Sequence, residues 1–275
     1  MTDNSRLSVV RKTPAYWQVI ISNPPINLFD PDMFADLNVL MDDIENAADL
    51  KVVVFESDND DFFVNHHDIA NRAESTRPGA KPFSQWPTFV TRLAQSPVLS
   101  IAKVRGRARA QGFEFALASD IRFASKERAL FSLIEVGGAS VPGGGGVEWL
   151  SAMIGRSRTL EIILGADDFD ADTAELFGFV NRSIPDSELD AYVEAFAQRI
   201  AGFDKRALTL AKKMVNGRAG VPSEADLSTS NYILSEVNNW PEGAAALTKL
   251  NAAGFGKPGD FELNLGEQIG NIPTA

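Results

Sequence analysis

The amino-acid sequence predicts an α/β fold that ends in an α-helical extension. Runs rich in β-branched and aromatic residues alternate with helix-like segments over the first two-thirds of the 275 residues. Beyond the glycine-dense stretch EVGGASVPGGGG, helical patterns dominate. The apolar fraction of 44% is typical of a globular protein with a sizeable core. An α/β core followed by helices accounts for all of these observations.

The first elements along the chain are two short strands and a helix. The strands are predicted at LSVVRK and YWQVIIS, and SNPPIN then breaks the pattern. In DPDMFADLNVLMDDIENA, Asp30 can cap a helix and Pro31 fits its first turn. Apolar residues recur there at helical spacing: Phe34, Leu37, Leu40, Met41 and Ile44.

The middle of the chain continues the alternation. Strands are predicted at LKVVVFES, PVLSIAKVRG, DIRFAS and ALFSL, with helices at FSQWPTFVTRLAQS and QGFEFALAS. The segments that follow are helical: SRTLEIILG, DADTAELFG, DSELDAYVEAFAQRIAGF, DKRALTLAKKMVN and SEADLSTSNYILSEVNNW. Glycine and proline in GFGKPGDFELNLGEQIGNIPTA predict an irregular C-terminal tail over residues 256–275.

The composition excludes several classes of protein. The net charge of −11 argues against general nucleic-acid binding, which needs a basic face. No run approaches the ~18 apolar residues of a membrane span, and MTDNSRLSVVRK lacks the apolar region of a signal peptide. The absence of cysteine excludes disulfides and thiolate chemistry. We therefore expect a cytoplasmic protein with no membrane or nucleic-acid partner.

Two motifs could suggest a phosphate site and a metal site, but neither has the residue spacing that such a site needs. The glycines of VPGGGGVEW lack the Lys-Ser/Thr pair of a phosphate loop and follow a proline loop rather than a strand, so close backbone packing is favoured. The segment DFFVNHHDIAN holds both histidines of the chain, His66 and His67. Adjacent side chains of an extended loop diverge, so we expect no metal site.

A basic run and two glutamates remain as candidate functional features. In SIAKVRGRARAQGFE, cations alternate with small residues up to a strand end at Gly106, and we expect the cations to pair with acids rather than bind an anion: Lys103, Arg105, Arg107 and Arg109. Glu114 begins a short helix and Glu135 ends a strand, each beside a glycine-containing loop. Loops at strand ends are where α/β folds build their sites.

Together these segments resemble the crotonase, or enoyl-CoA hydratase/isomerase, superfamily over residues 7 to 250. The resemblance rests on NPPIN, FFVNHHDI, PVLSIAKVRGRARAQGFEFALASDIRFAS, FSLIEVGGASVPGGGG and DADTAELFGFVNRSIP, in the family's order. It implies a spiral of ββα units over residues 1–185 and trimerisation helices over 186–255. The assembly it implies is a homotrimer or a dimer of trimers.

The resemblance also implies roles for individual residues. The family binds a thioester carbonyl with two backbone N–H groups, here those of Asn65 and Gln111. Two glutamates act around one water in its hydratases, and Glu114 and Glu135 match both positions. Substrate-binding positions follow by the same motifs: His67, Asp68, Gly112 and Gly138.

The implied function is that of an acyl-CoA lyase or isomerase, with hydration of a 2-enoyl-CoA as the simplest case and no further cofactor. Asn65, His66, His67 and Gln111 replace small residues of the family pattern and add bulk and polarity. Two other functions therefore stay open. One is a crotonase-fold enzyme on a non-CoA carbonyl compound, such as a β-diketone, and the other is a non-catalytic interaction protein. We expect one histidine at most, His67, to face the acyl pocket.

Overall fold

A computed structural model of the chain describes residues 5–71 and 73–272. The described residues form ten strands: β1 (Leu7–Thr13), β2 (Tyr16–Ile21), β3 (Val52–Ser57), β4 (Phe62–Val64), β5 (Leu99–Val104), β6 (Arg107–Arg109), β7 (Ile121–Ser125), β8 (Leu130–Ser132), β9 (Phe169–Asp170) and β10 (Arg182–Ile184).

The same residues form eleven α-helices, together with 3₁₀ turns at Phe83–Gln85 and Val136–Gly138. The helices are α1 (Pro31–Asn46), α2 (Trp86–Gln95), α3 (Gln111–Ala118), α4 (Gly146–Gly165), α5 (Ala171–Phe177), α6 (Asp186–Ala201), α7 (Lys205–Asn216), α8 (Glu224–Val237), α9 (Pro241–Ala253), α10 (Asp260–Leu263) and α11 (Leu265–Gly270).

The strands form two sheets that the chain visits in turn. The larger sheet has the order β1-β2-β3-β5-β7-β10, and all neighbours except β1 and β2 are parallel. The smaller sheet has the order β4-β6-β8-β9, and only β8 and β9 are antiparallel. The pairs β3–β4, β5–β6 and β7–β8 each contribute one strand to each sheet and are followed by α2, α3 and α4. This is the predicted spiral of ββα units.

The step from one sheet to the other is visible at Gly106, between β5 and β6. Its φ is +74°, and a Cβ atom there would lie 2.4 Å from the carbonyl carbon of Asp61. Both the left-handed backbone and the close approach require glycine. The strand end predicted at this glycine is confirmed.

An aromatic core fixes the helix that carries Glu114. Phe115 of α3 packs edge-to-face on Phe55 of β3, with ring centroids 5.1 Å apart, and stacks on Phe63 of β4 at 6.3 Å. Burial of each such side chain stabilises the fold by roughly 1.5–3 kcal/mol. Because β3 and β4 belong to different sheets, α3 is anchored to both.

Residues 186–253 are helical, as predicted, and form α6 to α9. None of the helices in the described part of the chain is long and apolar enough to span a membrane.

The prediction of an irregular tail over residues 256–275 is wrong for the residues that the structure describes. The segment forms α10 and α11, and Leu265 and Ile269 are buried against Ile134 and Leu250. Phe261, Leu265 and Ile269 recur every four residues, a helical spacing that the surrounding glycines and proline obscured. The C-terminal segment, residues 254–272, is therefore part of the folded core.

Candidate active site

A cavity of about 680 Å³ lies where the histidine loop, the start of α3, the loop after β8 and the C-terminal segment meet. This volume is within the usual range for small-molecule sites. Its apolar lining includes Phe29, Phe83, Ile134 and Phe255. Five of its polar lining residues belong to the segments that the sequence singled out: His66, His67, Gln111, Glu114 and Glu135. The structure thus brings both predicted glutamates to one cavity.

Glu114 is held by the glycine-rich segment that the sequence singled out. Its Oε1 accepts the N–H groups of Gly144, at 2.7 Å, and Gly146, at 3.0 Å. A Cβ atom at Gly144 would lie 2.1 Å from Glu114 Oε2. Trp86 Nε1 donates to the Gly144 carbonyl at 2.8 Å and fixes that peptide. The glycines therefore pack closely before a helix, as predicted, and what they pack against is a carboxylate.

Burial keeps both glutamates from ionising easily. Glu114 is 2% exposed, and its burial, opposed by the two backbone N–H groups and assisted by the charge of Glu148, raises its pKa to about 7. Burial, followed by repulsion from Glu114, raises the pKa of Glu135 well above its usual value. Among the described residues, no hydrogen-bond partner faces Glu135 Oε2. The two carboxyl groups interact and favour a state with fewer than two negative charges.

The first residue of α3, Gln111, lines the same cavity as the two glutamates. Gln111 occupies the first helical position, where the backbone N–H has no acceptor within the helix. The preceding residue, Ala110, has the unusual backbone angles φ +46° and ψ −117°, and its own N–H donates to the Ser132 carbonyl at 2.8 Å. Such strain persists where the surrounding structure enforces it, and it is common at functional sites.

The predicted role of the Asn65 amide is contradicted by the structure. Its N–H donates to the Asn27 carbonyl at 2.9 Å, and its side-chain Nδ2 donates to Glu262 Oε2 at 2.9 Å. Asn65 is fully buried and does not line the cavity. The Asn65 backbone N–H is therefore not available to a substrate, because the Asn27 carbonyl accepts its hydrogen bond.

Both histidines line the cavity, so the expectation that at most one would do so is wrong. His67 packs against Phe29 and Phe83, with ring centroids 6.2 and 5.2 Å away. His66 stacks on Phe255 at 4.0 Å and 10°, and its Nε2 lies 2.9 Å from Glu262 Oε1. The loop bends at this point, so that adjacent rings contact the same cavity.

Of the other three residues predicted to bind substrate, one lines the cavity and two have structural roles. Gly138 lines the cavity. Asp68 does not, and its Oδ1 instead accepts the N–H groups of Ala70 and Asn71, each at 3.1 Å. Gly112 also lies off the cavity, because a Cβ atom there would be 1.8 Å from the Val64 carbonyl oxygen. Its glycine permits α3 to approach β4.

The basic run divides between two structural tasks. Lys103 pairs with Glu56 and Asp190, and Arg105 pairs with Asp186 at 2.7 Å, so the expected pairing with acids is found. In the second half of the run, Arg109 also pairs with an acid, Asp168, and both Arg107 and Arg109 bind the C-terminal segment. Arg107 Nε donates to the Leu263 carbonyl at 2.7 Å.

Arg109 is the most deeply buried member of the run. It forms a two-point ion pair with Asp168, with Nε–Oδ1 and Nη2–Oδ2 distances of 3.0 and 2.5 Å. Its Nη1 donates to the carbonyl of Glu262. Glu262, 0% exposed, is the site residue that sequence reasoning missed. The glycines and proline around it obscured its helical spacing, and no local pattern predicts its contacts with residues 65 and 66.

Comparison with known proteins decides the family. A match to the enoyl-CoA hydratase/isomerase family spans residues 13–240. The chain belongs to this family. The crotonase-type fold and the expectation of a lyase-class enzyme are thereby confirmed.

The similarity to known proteins covers most of the chain. A short-chain-enoyl-CoA hydratase of Clostridium acetobutylicum is 31% identical over 72% of this chain and 76% of its own length. A crotonyl-CoA hydratase of Syntrophomonas wolfei is 28% identical over 77% of this chain and 82% of its own. The crystal structure of a Streptomyces avermitilis protein assigned as an enoyl-CoA hydratase is 33% identical, covers 99% of both chains and has a TM-score of 0.90.

Proposed function

We propose that the protein adds water across the double bond of a 2-enoyl-CoA thioester. The pairing of Glu114 with Glu135 carries this proposal: two carboxyl groups line one cavity, and each has a raised pKa. Hydration needs a base for the water and an acid for the α-carbon. A pair that resists double ionisation supplies one of each near neutral pH.

In the proposed reaction, the water oxygen bonds to the β-carbon while the double-bond electrons move toward the thioester oxygen. Ionised Glu114 takes a water proton, since two glycine amides stabilise its charge. Protonated Glu135, whose pKa lies well above its usual value, gives its proton to the α-carbon. The product gains H and OH, and one proton has moved from Glu135 to Glu114, from which it must return before the next turnover.

The developing negative charge on the thioester oxygen needs preorganised donors, each typically worth ~3 kcal/mol. The Gln111 N–H at the start of α3 is one proposed donor, and the positive end of the helix dipole favours an anion there. For the other we propose the His67 N–H. The His66 carbonyl accepts the Phe29 N–H at 3.0 Å, and the trans peptide then directs the His67 N–H away from Phe29.

The cavity also bears on the two competing functions. A non-catalytic protein with a blocked pocket is disfavoured, because the altered loops leave a cavity of about 680 Å³. Acyl-CoA names recur among the relatives, which favours a CoA thioester over a free β-diketone as substrate. We propose no additional cofactor, since proton transfer by the two glutamates accounts for every step.

We further propose assembly as a trimer or a dimer of trimers. Exposed apolar side chains of α7 and α8 supply surface for it: Leu210, Met214, Val215, Tyr232 and Ile233. Light scattering at micromolar concentration should give three or six times the chain mass. A monomer would contradict this assembly.

The test of the proposed function is hydration of crotonyl-CoA by the purified protein. Loss of the enoyl absorbance, with formation of 3-hydroxybutyryl-CoA confirmed by mass spectrometry, is expected. E114Q should abolish the signal while still binding butyryl-CoA, because the amide preserves the shape of the side chain. Binding without turnover in the wild-type protein would contradict hydration. No binding of any CoA thioester would favour a non-CoA substrate.

A further inference from the structure

The carboxylate of Glu262 is surrounded by donors behind the histidine wall of the cavity. Its Oε1 accepts the Gly256 N–H at 2.6 Å and lies 2.9 Å from His66 Nε2, and its Oε2 accepts Asn65 Nδ2 at 2.9 Å. Glu262 is 0% exposed and His66 is 3% exposed. A buried carboxylate with three donors is suited to remain ionised.

The second nitrogen of His66 fixes its protonation. Nδ1 lies 3.0 Å from the His67 carbonyl oxygen, which can only accept, so Nδ1 carries a hydrogen. Burial alone would raise the pKa of Glu262, but the hydrogen bond and charge of His66, with Asn65 and Gly256, outweigh it and lower that pKa. His66 Nε2 lies 2.9 Å from a carboxylate that already accepts the Gly256 N–H and Asn65 Nδ2, a geometry in which Nε2 can serve as a third donor.

Arg109 and Phe255 hold the two members of the His66–Glu262 pair in place. Arg109 holds the backbone of Glu262 through its carbonyl, and its own charge is balanced by Asp168. Phe255 stacks on the imidazole at 4.0 Å. Among the described residues, the other ionisable groups that line the same cavity as His66 are His67, Lys81 and three acids, Glu74, Glu114 and Glu135. A positive charge on His66 would therefore face a cavity in which acids outnumber the one lysine.

We propose that Glu262 is a positioning residue that holds His66 as an imidazolium beside the oxyanion hole, where its charge stabilises the enolate oxygen. His66 immediately precedes His67, whose amide is the proposed second donor, and its ring N–H holds the His67 carbonyl. The C-terminal segment thus contributes to catalysis through one charge. The kinetic part of this inference rests on the proposed hydratase function, whereas the charged pair does not.

Nitrogen-15 NMR of the imidazole rings tests the charged pair directly, because the chain has only two histidines. In the full-length wild-type protein at about pH 7.5, both ring nitrogens of His66 should be protonated, with H67A used for assignment. E262Q should convert His66 to a neutral tautomer. A neutral His66 in the wild-type spectrum would overturn the proposal, and that spectrum decides the protonation even if E262Q fails to fold.

Kinetics with crotonyl-CoA test the role of the charge. A directly bonded oxyanion donor is worth about 10²–10³ in kcat, so we expect a charge one residue away to be worth roughly tenfold. E262Q should lower kcat by that factor and leave KM within about twofold, and H66Q/E262Q should be no slower than H66Q. If E262Q changed KM alone, the electrostatic role would be wrong.

R107Q is the matched control, since Arg107 ties the same segment through Leu263 without touching the pair. It should leave kcat within about twofold. An equal loss of kcat in R107Q and E262Q would show that loosening of the segment, not the charge, is responsible. If the wild-type protein hydrates no crotonyl-CoA, the proposed function fails, and the NMR result still decides whether the imidazolium exists.

Discussion

Glu114 and Glu262 are both almost completely buried near one cavity, yet their protonation is biased in opposite directions. Burial, only partly offset by two backbone N–H groups, raises the pKa of Glu114 to about 7. Burial has the same tendency at Glu262, but His66, Asn65 and Gly256 outweigh it and lower the pKa. The comparison shows that the neighbours, rather than the depth of burial, decide which carboxylate keeps its charge.

The two neighbourhoods suit different tasks. Glu114 faces a second acid and can exchange a proton near neutral pH, which a catalytic base requires. Glu262 faces an imidazole and two further donors, which favour its charged form, so it can hold a neighbouring charge in place but is not suited to exchange a proton. Substitution of each glutamate by glutamine should therefore affect different properties of the protein.

The largest expected effect is the loss of turnover in E114Q and E135Q. Each change keeps side-chain shape but removes an ionisable oxygen, and a positioned acid or base typically contributes 10²–10⁴-fold. The double variant should lose far less than the product of the two, because the residues act as a unit. Steady-state kinetics with crotonyl-CoA measures this, with E161Q on the exposed face of α4 as control. Retained kcat in E114Q would exclude it as the base.

The next effect is on stability. E262Q should lower the free energy of unfolding at neutral pH by about 3 kcal/mol, because it breaks a buried ion pair and the histidine ring must lose its proton on folding. E114Q should not destabilise to this extent, since glutamine oxygen can still accept both glycine amides. Urea unfolding compares them, with E267Q, an exposed glutamate of the same C-terminal segment, as control. Equal losses in E114Q and E262Q would invalidate the comparison.

The contributions of Glu114 and Glu262 to the free energy of unfolding should change in opposite directions as the pH rises. Because the folded-state pKa of Glu114 is raised to about 7, its contribution to wild-type stability is greatest below about pH 4.5 and is lost as pH rises through 7. The folded-state pKa of Glu262 is lowered, so its contribution is present above about pH 4.5 and is lost on further acidification. Unfolding of wild type, E114Q and E262Q across pH 4 to 9 measures both slopes; parallel slopes would be inconsistent with this assignment.

The kcat of the wild-type enzyme should depend on the ionisation of Glu114. If ionised Glu114 is the base, kcat should fall on the acid side of about pH 7 by up to tenfold per unit, as the pair takes up its second proton. A pH profile of the wild-type enzyme shows this. A rate that stayed constant down to pH 5 would place the essential ionisation on another group.

The smallest expected effect is that of R105Q. Arg105 pairs with Asp186 and Asp190, whose side chains are 31% and 64% exposed. Exposed ion pairs are worth about 0–1 kcal/mol and weaken with salt. R105Q should therefore cost less than about 1 kcal/mol in urea unfolding, and still less at high salt. If R105Q lowered the free energy of unfolding as much as E262Q, burial of the His66–Glu262 pair would not explain its contribution to stability.

The sequence predicted much of this arrangement where the determinants are local. Asp30 caps α1 through the Met33 N–H, and α6 to α8 begin and end near the predicted positions. Glu114 and Glu135 follow motifs that place them on successive elements of the ββα spiral. The donor assigned to Asn65 was wrong because Asn27, an unrelated segment, binds its amide. Glu262 was missed because its role depends on contacts that no local pattern encodes.

The contact between Asn65 and Glu262 joins residues 197 positions apart, and that between His66 and Glu262 spans 196. Long loops are costly to close, and contacts distant in sequence form slowly during folding. The aromatic core around α3 draws on much closer segments. The chain should therefore pass through a stage in which the spiral is already native-like while the binding cavity still lacks one wall. Refolding should restore core fluorescence before it restores activity.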